Sequence, residues 1–138
     1  NTLAPFILNS RLRALLQRSP VAARQVVNVS AMEGKFYRYK TANHPHTNMA
    51  KAALNMMTRT CAEELAANGV YMNSIDTGWI NDENPLQRAA RTAEKHHFQT
   101  PLDEVDAAAR ILDPILSAAN GEPPVYGRFV KDYQPCEW

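Results

Sequence analysis

The sequence predicts an α/β fold with a parallel sheet, on three observations. Long helical patterns alternate with short strand-like runs. One of those runs, "RQVVNVS", carries three Val and suits a buried parallel strand, and "VYMNSID" reads as a second short strand. Between them lies one long uninterrupted helical pattern, the kind of crossover that parallel strands require.

The elements follow in order. Leu3, Phe6, Ile7, Leu12, Leu15 and Leu16 recur at helical spacing and predict a helix near 2–18, stopped by Ser19 and Pro20. The pattern is already in progress at the first residue, which is expected of a fragment. Val26, Val27 and Val29 mark the first strand. Ala31 to Pro45, with Gly34, Phe36, Tyr37 and Tyr39, has no period and reads as a long loop of the kind that often serves function. A strong helix follows over 46–67 (Met49, Ala52, Ala53, Leu54, Met57, Leu65), with Gly69 in its C′ position. The second strand leads into a polar stretch from Thr77 to Gln87, a short helix from Leu86 to His97, and a helix from Leu102 to Ala119. Asp103 and Glu104 fall in the first turn of the latter, as the helix dipole favours. "VYGRFVKDY" is a third strand-like segment. Three strands make a small sheet, so the rest of it is expected from sequence outside these residues.

Composition narrows the classes. A chain of 138 residues with 45% hydrophobic content is one domain's worth of core-forming protein. Its net charge of +1, with Lys and Arg dispersed, argues against nucleic acid and against an anionic membrane surface. No apolar run is long enough for membrane insertion, and no secretory pattern opens the chain. Cys61 and Cys136 are isolated, so free thiols in the cytoplasm or another reducing compartment are expected.

Several pieces in sequence order carry a family resemblance: "NTLAPFIL", "VVNVSAMEG", "TNMAKAALNMMTRTCAEELAANGVYMNSIDTGWI" and "VYGRFVKDYQPCEW". Together they resemble the C-terminal half of a short-chain dehydrogenase/reductase. The resemblance implies that residues 1–138 are the C-terminal part of one NAD(P)-binding domain with a Rossmann-type, doubly wound parallel sheet. It also implies a catalytic tetrad of Asn, Ser, Tyr and Lys. In that family the Tyr phenol transfers the substrate proton while hydride moves to or from the nicotinamide. The Lys lowers the Tyr pKa from its usual value of about 10 and grips the nicotinamide ribose. The Ser holds the substrate oxygen, and the Asn orders a relay water.

Carried over by position, Asn1 and Lys51 retain the Asn and the Lys. The Ser position holds Ala31, with Ser30 before it, and the Tyr position holds Thr47. An aliphatic hydroxyl is a far weaker acid than a phenol, and Thr is several ångströms shorter. Losing a general acid costs about 10²–10⁴ in rate. In the cofactor loop "TGWIND", Gly78 and Ile80 are kept, while Thr77 replaces a Pro and Asp82 replaces a cofactor-holding Thr. A carboxylate there would repel a pyrophosphate unless it turned away. The glycine-rich phosphate-binding turn has no counterpart in these residues, so this chain alone is expected to bind no dinucleotide.

Other candidates are weaker. His46 adjoins Thr47 but lies about 100° from it around a helix, and it reads as a helix-start residue. Tyr37 and Tyr39 read as packing aromatics rather than substitute donors. The pairs His44/His46 and His96/His97 lack ligand spacing, so no metal is expected. Met49, Met56 and Met57 read as packing or interface residues. The resemblance further implies a homo-oligomer or larger assembly through the helices near 2–18 and 46–67, with Ala50, Ala53 and Leu54 suited to the contact. Two functions follow. One is an impaired reductase-like domain serving as a structural or cofactor-holding scaffold. The other is a divergent NAD(P)-dependent oxidoreductase, acting on a carbonyl or alcohol with an unusual proton donor.

Overall fold

The computed structural model describes residues 1–80 and 100–138. The short helix expected over 86–97, Asp82, His96 and His97 lie outside the described residues.

The fold is α/β, as the alternation predicts. Helix α1 spans Leu3–Arg18 and strand β1 Arg24–Ser30; a single 3-10 turn, Met32–Gly34, follows. Helix α2 covers Pro45–Ala66, strand β2 Val70–Asp76 and helix α3 Glu104–Ala119. Strands β3, Phe129–Lys131, and β4, Gln134–Cys136, complete the order. The sheet runs β1-β2-β3-β4. β1 pairs in parallel with β2, from Arg24 opposite Val70 to Ser30 opposite Asp76, and β3 joins β2 in parallel. Among the described residues, the outer edge of β1 pairs with no strand.

Three details differ from the sequence reading. The last segment is a hairpin rather than one strand, because β4 turns back antiparallel on β3. Asp132 and Tyr133 make that turn at φ 47 and 65, a conformation the sequence hides by using no glycine. Pro135 sits on this edge strand, where its missing N–H breaks no ladder. Helix α2 ends at an Ala67 cap that is still right-handed, so Gly69, at φ 70, comes two residues beyond it rather than in the C′ position. Asp103 lies outside its helix as the N-cap of α3, where it and Asp106 form a reciprocal capping box.

Strand alternation sends Val26, Asn28 and Ser30 of β1, with Met72, Ser74 and Asp76 of β2, to one face. There α1 and α2 cover them: Ala62, Leu65, Val70 and Met72 form a buried cluster, with Leu16, Val26 and Cys61 against it. Asn73 and Val130 point to the other face, where they border a cavity with Asp113, Pro114 and Ser117 of α3. Helices on both faces make the sheet doubly wound.

The α2 face also holds a buried polar chain. The Thr58 hydroxyl donates to the Leu54 carbonyl and accepts from Asn28 Nδ2 at 2.9 Å and from Ser74 Oγ at 2.8 Å. One donor and two acceptor sites are all that a hydroxyl has. Asn9 of α1 extends the chain by donating to Asn28 Oδ1. Helix α1, β1, α2 and β2 are thereby joined through hydrogen bonds as well as apolar contact.

Candidate functional site

The parallel strands β1 and β2 end side by side at Ser30 and Asp76, so the loops leaving them share one rim of the sheet. Ligands of open α/β sheets bind at this rim. The first loop starts with Ala31, fully extended, and turns at Met32–Gly34. Gly34 lets the backbones meet: a Cβ there would lie 2.5 Å from the Lys51 carbonyl carbon and 2.7 Å from the Ala52 nitrogen. The loop after β1 is thus pressed against α2 at the level of Lys51.

Lys51 Nζ donates to the Val29 carbonyl at 2.8 Å. Ser30 Oγ turns inward and donates to Asn55 Oδ1 at 2.6 Å, leaving Ala31 as the next residue at the rim. Asn55 is one turn beyond Lys51 on α2, and its Nδ2 is buried without a partner among the described residues. Thr47 is one turn before Lys51, on the same helical face; its N–H donates to the His44 carbonyl in the opening turn. Thr2 Oγ1 donates to the Ala50 carbonyl, so the start of α1, with the exposed Asn1 before it, lies against α2 one residue from Lys51. The four positions that the resemblance singled out, Asn1, Ala31, Thr47 and Lys51, therefore belong to one corner of the fold.

The alternative donors are engaged elsewhere or exposed. His44 adopts a left-handed conformation at φ 56, and its ring meets His46 edge-on at 6.1 Å. Tyr37 accepts a hydrogen bond from Lys35 at its hydroxyl, and Tyr39 is 93% exposed. Among the described residues, no group of three or more His, Cys, Asp or Glu side chains could hold a metal ion.

The second loop is shaped by Asp76, which the sequence reading passed over. Its carboxylate is buried, accepts from the Gly78 N–H at 2.8 Å, and lies 3.7 Å from Lys131 Nζ. Gly78 takes φ 80, and Ile80 then forms an isolated parallel bridge with Leu102. A carboxylate at the end of a buried strand, two residues before a glycine, was the available signal. Lys35 was also missed; it is 1% exposed although its sequence surroundings are those of a surface loop.

Charge is otherwise spread thinly. At the β3–β4 turn, Asp132 is only slightly buried, which by itself would raise its pKa. Hydrogen bonds and charge from Lys131 and Arg110 outweigh this and hold its carboxyl below the usual aspartate value.

A doubly wound parallel sheet with its loops gathered at one rim is the architecture of a Rossmann-type fold. The chain matches the family model described as Enoyl-(Acyl carrier protein) reductase over residues 3–117. It belongs to the short-chain dehydrogenase/reductase family. A protein of Acanthamoeba polyphaga mimivirus, Uncharacterized protein R665, is 36% identical over 118 residues, which are 80% of this chain and 24% of that protein. Carbonyl reductase Sniffer of D. melanogaster superposes with a TM-score of 0.67 at 17% identity, over 99% of this chain and 54% of that one. An NADPH-bound carbonyl reductase from chicken fatty liver gives 0.65 at 18% identity, over 100% and 54%. The Pseudomonas aeruginosa RhlG/NADP complex gives 0.67 at 22% identity, over 95% and 54%. The chain spans about half the length of these structures. No helix among the described residues is long and apolar enough to cross a membrane.

Proposed function

We propose that this chain is the C-terminal half of a short-chain dehydrogenase/reductase domain whose hydride-transfer chemistry is impaired, and which serves as a scaffold or a holder of NAD(P). The observation that carries this reading is the corner itself. Lys51 is held in place by the Val29 carbonyl, yet the positions beside it that should give and guide a proton carry Thr47 and Ala31.

NAD(P), when bound, would supply the hydride acceptor or donor. The described residues fit one side of such a cofactor. Lys51 offers an ammonium at the rim for the nicotinamide ribose, and Gly78 and Ile80 offer loop backbone at the adjoining strand end. The phosphate cradle must come from elsewhere in the protein. Without a phenol, Thr47 is too weak an acid to exchange a proton at neutral pH. Without the second hydroxyl, Ala31 leaves the substrate oxygen unguided. Exposed apolar residues on α1 (Leu3, Phe6, Leu15) and on α2 (Met49, Met56) support assembly through these helices. Two free thiols fit a reducing compartment.

Two measurements on the full-length protein test the reading. Fluorescence titration with NADPH and NADH, with intact mass taken on the same sample, reports whether a nucleotide is held. Carbonyl reduction is then compared between the parent and the Thr47→Tyr, Ala31→Ser double variant. A silent parent and an active double variant support impaired chemistry in an intact frame. A parent that already turns over, and is not improved, sinks it and favours the divergent oxidoreductase.

A further inference from the structure

Lys35 is the one fully buried lysine among the described residues, and its surroundings are unlike those of an ordinary ion pair. Its ammonium donates to the Tyr37 hydroxyl at 3.2 Å, to Cys136 Sγ at 3.0 Å, and to the Glu137 carbonyl. It also stands 4.0 Å above the Phe129 ring, which Trp138 meets edge-on. All three N–H donors are used, and no carboxylate among the described residues forms a salt bridge with it. A buried ammonium without a counter-charge is a costly arrangement. The aromatic face offsets part of that cost.

We propose that Lys35 and Cys136 form a redox-sensitive pair that hydrogen peroxide joins covalently through one oxygen, as Nζ–O–Sγ. Three features carry it. The two atoms are already separated by little more than the span of one bridging oxygen. Cys136 is half-exposed, so peroxide can reach the sulfur, whereas Lys35 is buried, so its nitrogen can react only with a group already in the pocket. The product nitrogen carries no positive charge, so joining removes the uncompensated cation from the interior. Cys61 is placed differently: it packs beside the Met72 cluster, among apolar side chains.

The step balances. Cys136 sulfur attacks a first peroxide, breaking its O–O bond and giving the sulfenic acid and water. A second peroxide supplies the remaining oxidation as the N–O bond forms. Overall, Lys–NH2 and Cys–SH with two H2O2 give Lys–NH–O–S–Cys and three H2O. Nitrogen and sulfur each lose two electrons; one N–H bond and the S–H bond are broken. The ammonium first releases its extra proton to solvent. The link would tie the loop that follows Ala31 to strand β4, fastening the candidate site's rim to the far edge of the sheet.

The test is peptide mapping of the full-length protein after a short treatment with hydrogen peroxide. The expected result is one joined peptide pair containing Lys35 and Cys136, heavier than its parts by an oxygen and lighter by two hydrogens. Dithiothreitol should release it, and it should vanish in Lys35→Arg and in Cys136→Ser. Oxidation of Cys136 alone, trapped by dimedone with the Lys35 peptide free, would overturn the proposal. So would an unreacted pair, or a joined product that survives in Lys35→Arg. Because mapping of the parent protein decides the matter, a variant that fails to fold leaves the result intact.

Discussion

The two ends of α2 contrast sharply. From Leu54 onward, the helix enters a polar interior in which Thr58 uses every hydrogen-bonding site it has, joining β1 to β2. At its start, Thr47 follows an exposed loop whose Phe36 and Tyr39 are 89% and 93% exposed. The first region is determined by satisfied burial; the second borders an exposed loop, with Thr47 itself half-buried. Under the proposed reading, the replacements at Thr47 and Ala31 lie outside this polar interior, while Lys51 keeps its contact with the Val29 carbonyl.

The strongest way to break this contrast is Thr58→Val. It leaves Asn28 Nδ2 and Ser74 Oγ buried without their acceptor, at about 1–3 kcal/mol each. A loss of about 2–6 kcal/mol is expected by urea denaturation; a change near zero would show that the polar interior does not hold the frame. Gly34→Ala comes next. Its Cβ would meet helix backbone, which yields less than a side chain, so about 1–3 kcal/mol should be lost. The same variant should separate the loop from Lys51, visible as faster acetylation of Lys51 by mass spectrometry. Tyr39→Ala, at the exposed end, should stay within about 0.5 kcal/mol of the parent. The smallest effect concerns Asp132. Its pKa is lowered by folding, so its contribution is fully present above its unfolded value of about 3.9 and is lost as pH falls through the lower folded value. An Asp132→Asn variant should therefore match the parent's melting temperature in acid and fall slightly below it at neutral pH.

How far the sequence was legible follows the same line. The helices α1, α2 and α3 and the strands β1 and β2 declare themselves through period and β-branched runs, because burial on one face imposes those patterns. The alignment of Thr47 and Lys51 was legible through spacing, because residues four apart share a face on any helix, whatever packs around it. The hairpin was hidden because Asp132 and Tyr133 take the turn without the glycine that usually signals it. Lys35 was hidden because burial of a lysine depends on residues about a hundred positions away. The polar chain was hidden because Asn28, Thr58 and Ser74 look like ordinary strand and helix residues until the sheet brings them together.

That chain also bears on how the fold responds to temperature. Among the described residues, buried polar side chains are nearly as numerous as buried apolar ones. Exposing apolar surface raises the heat capacity of unfolding, and exposing polar surface lowers it. For its size, this unit should therefore have a shallow stability curve. Its margin would change little between cold and warm conditions, and calorimetry would show a heat-capacity step below the usual value of about 12–15 cal/mol/K per residue.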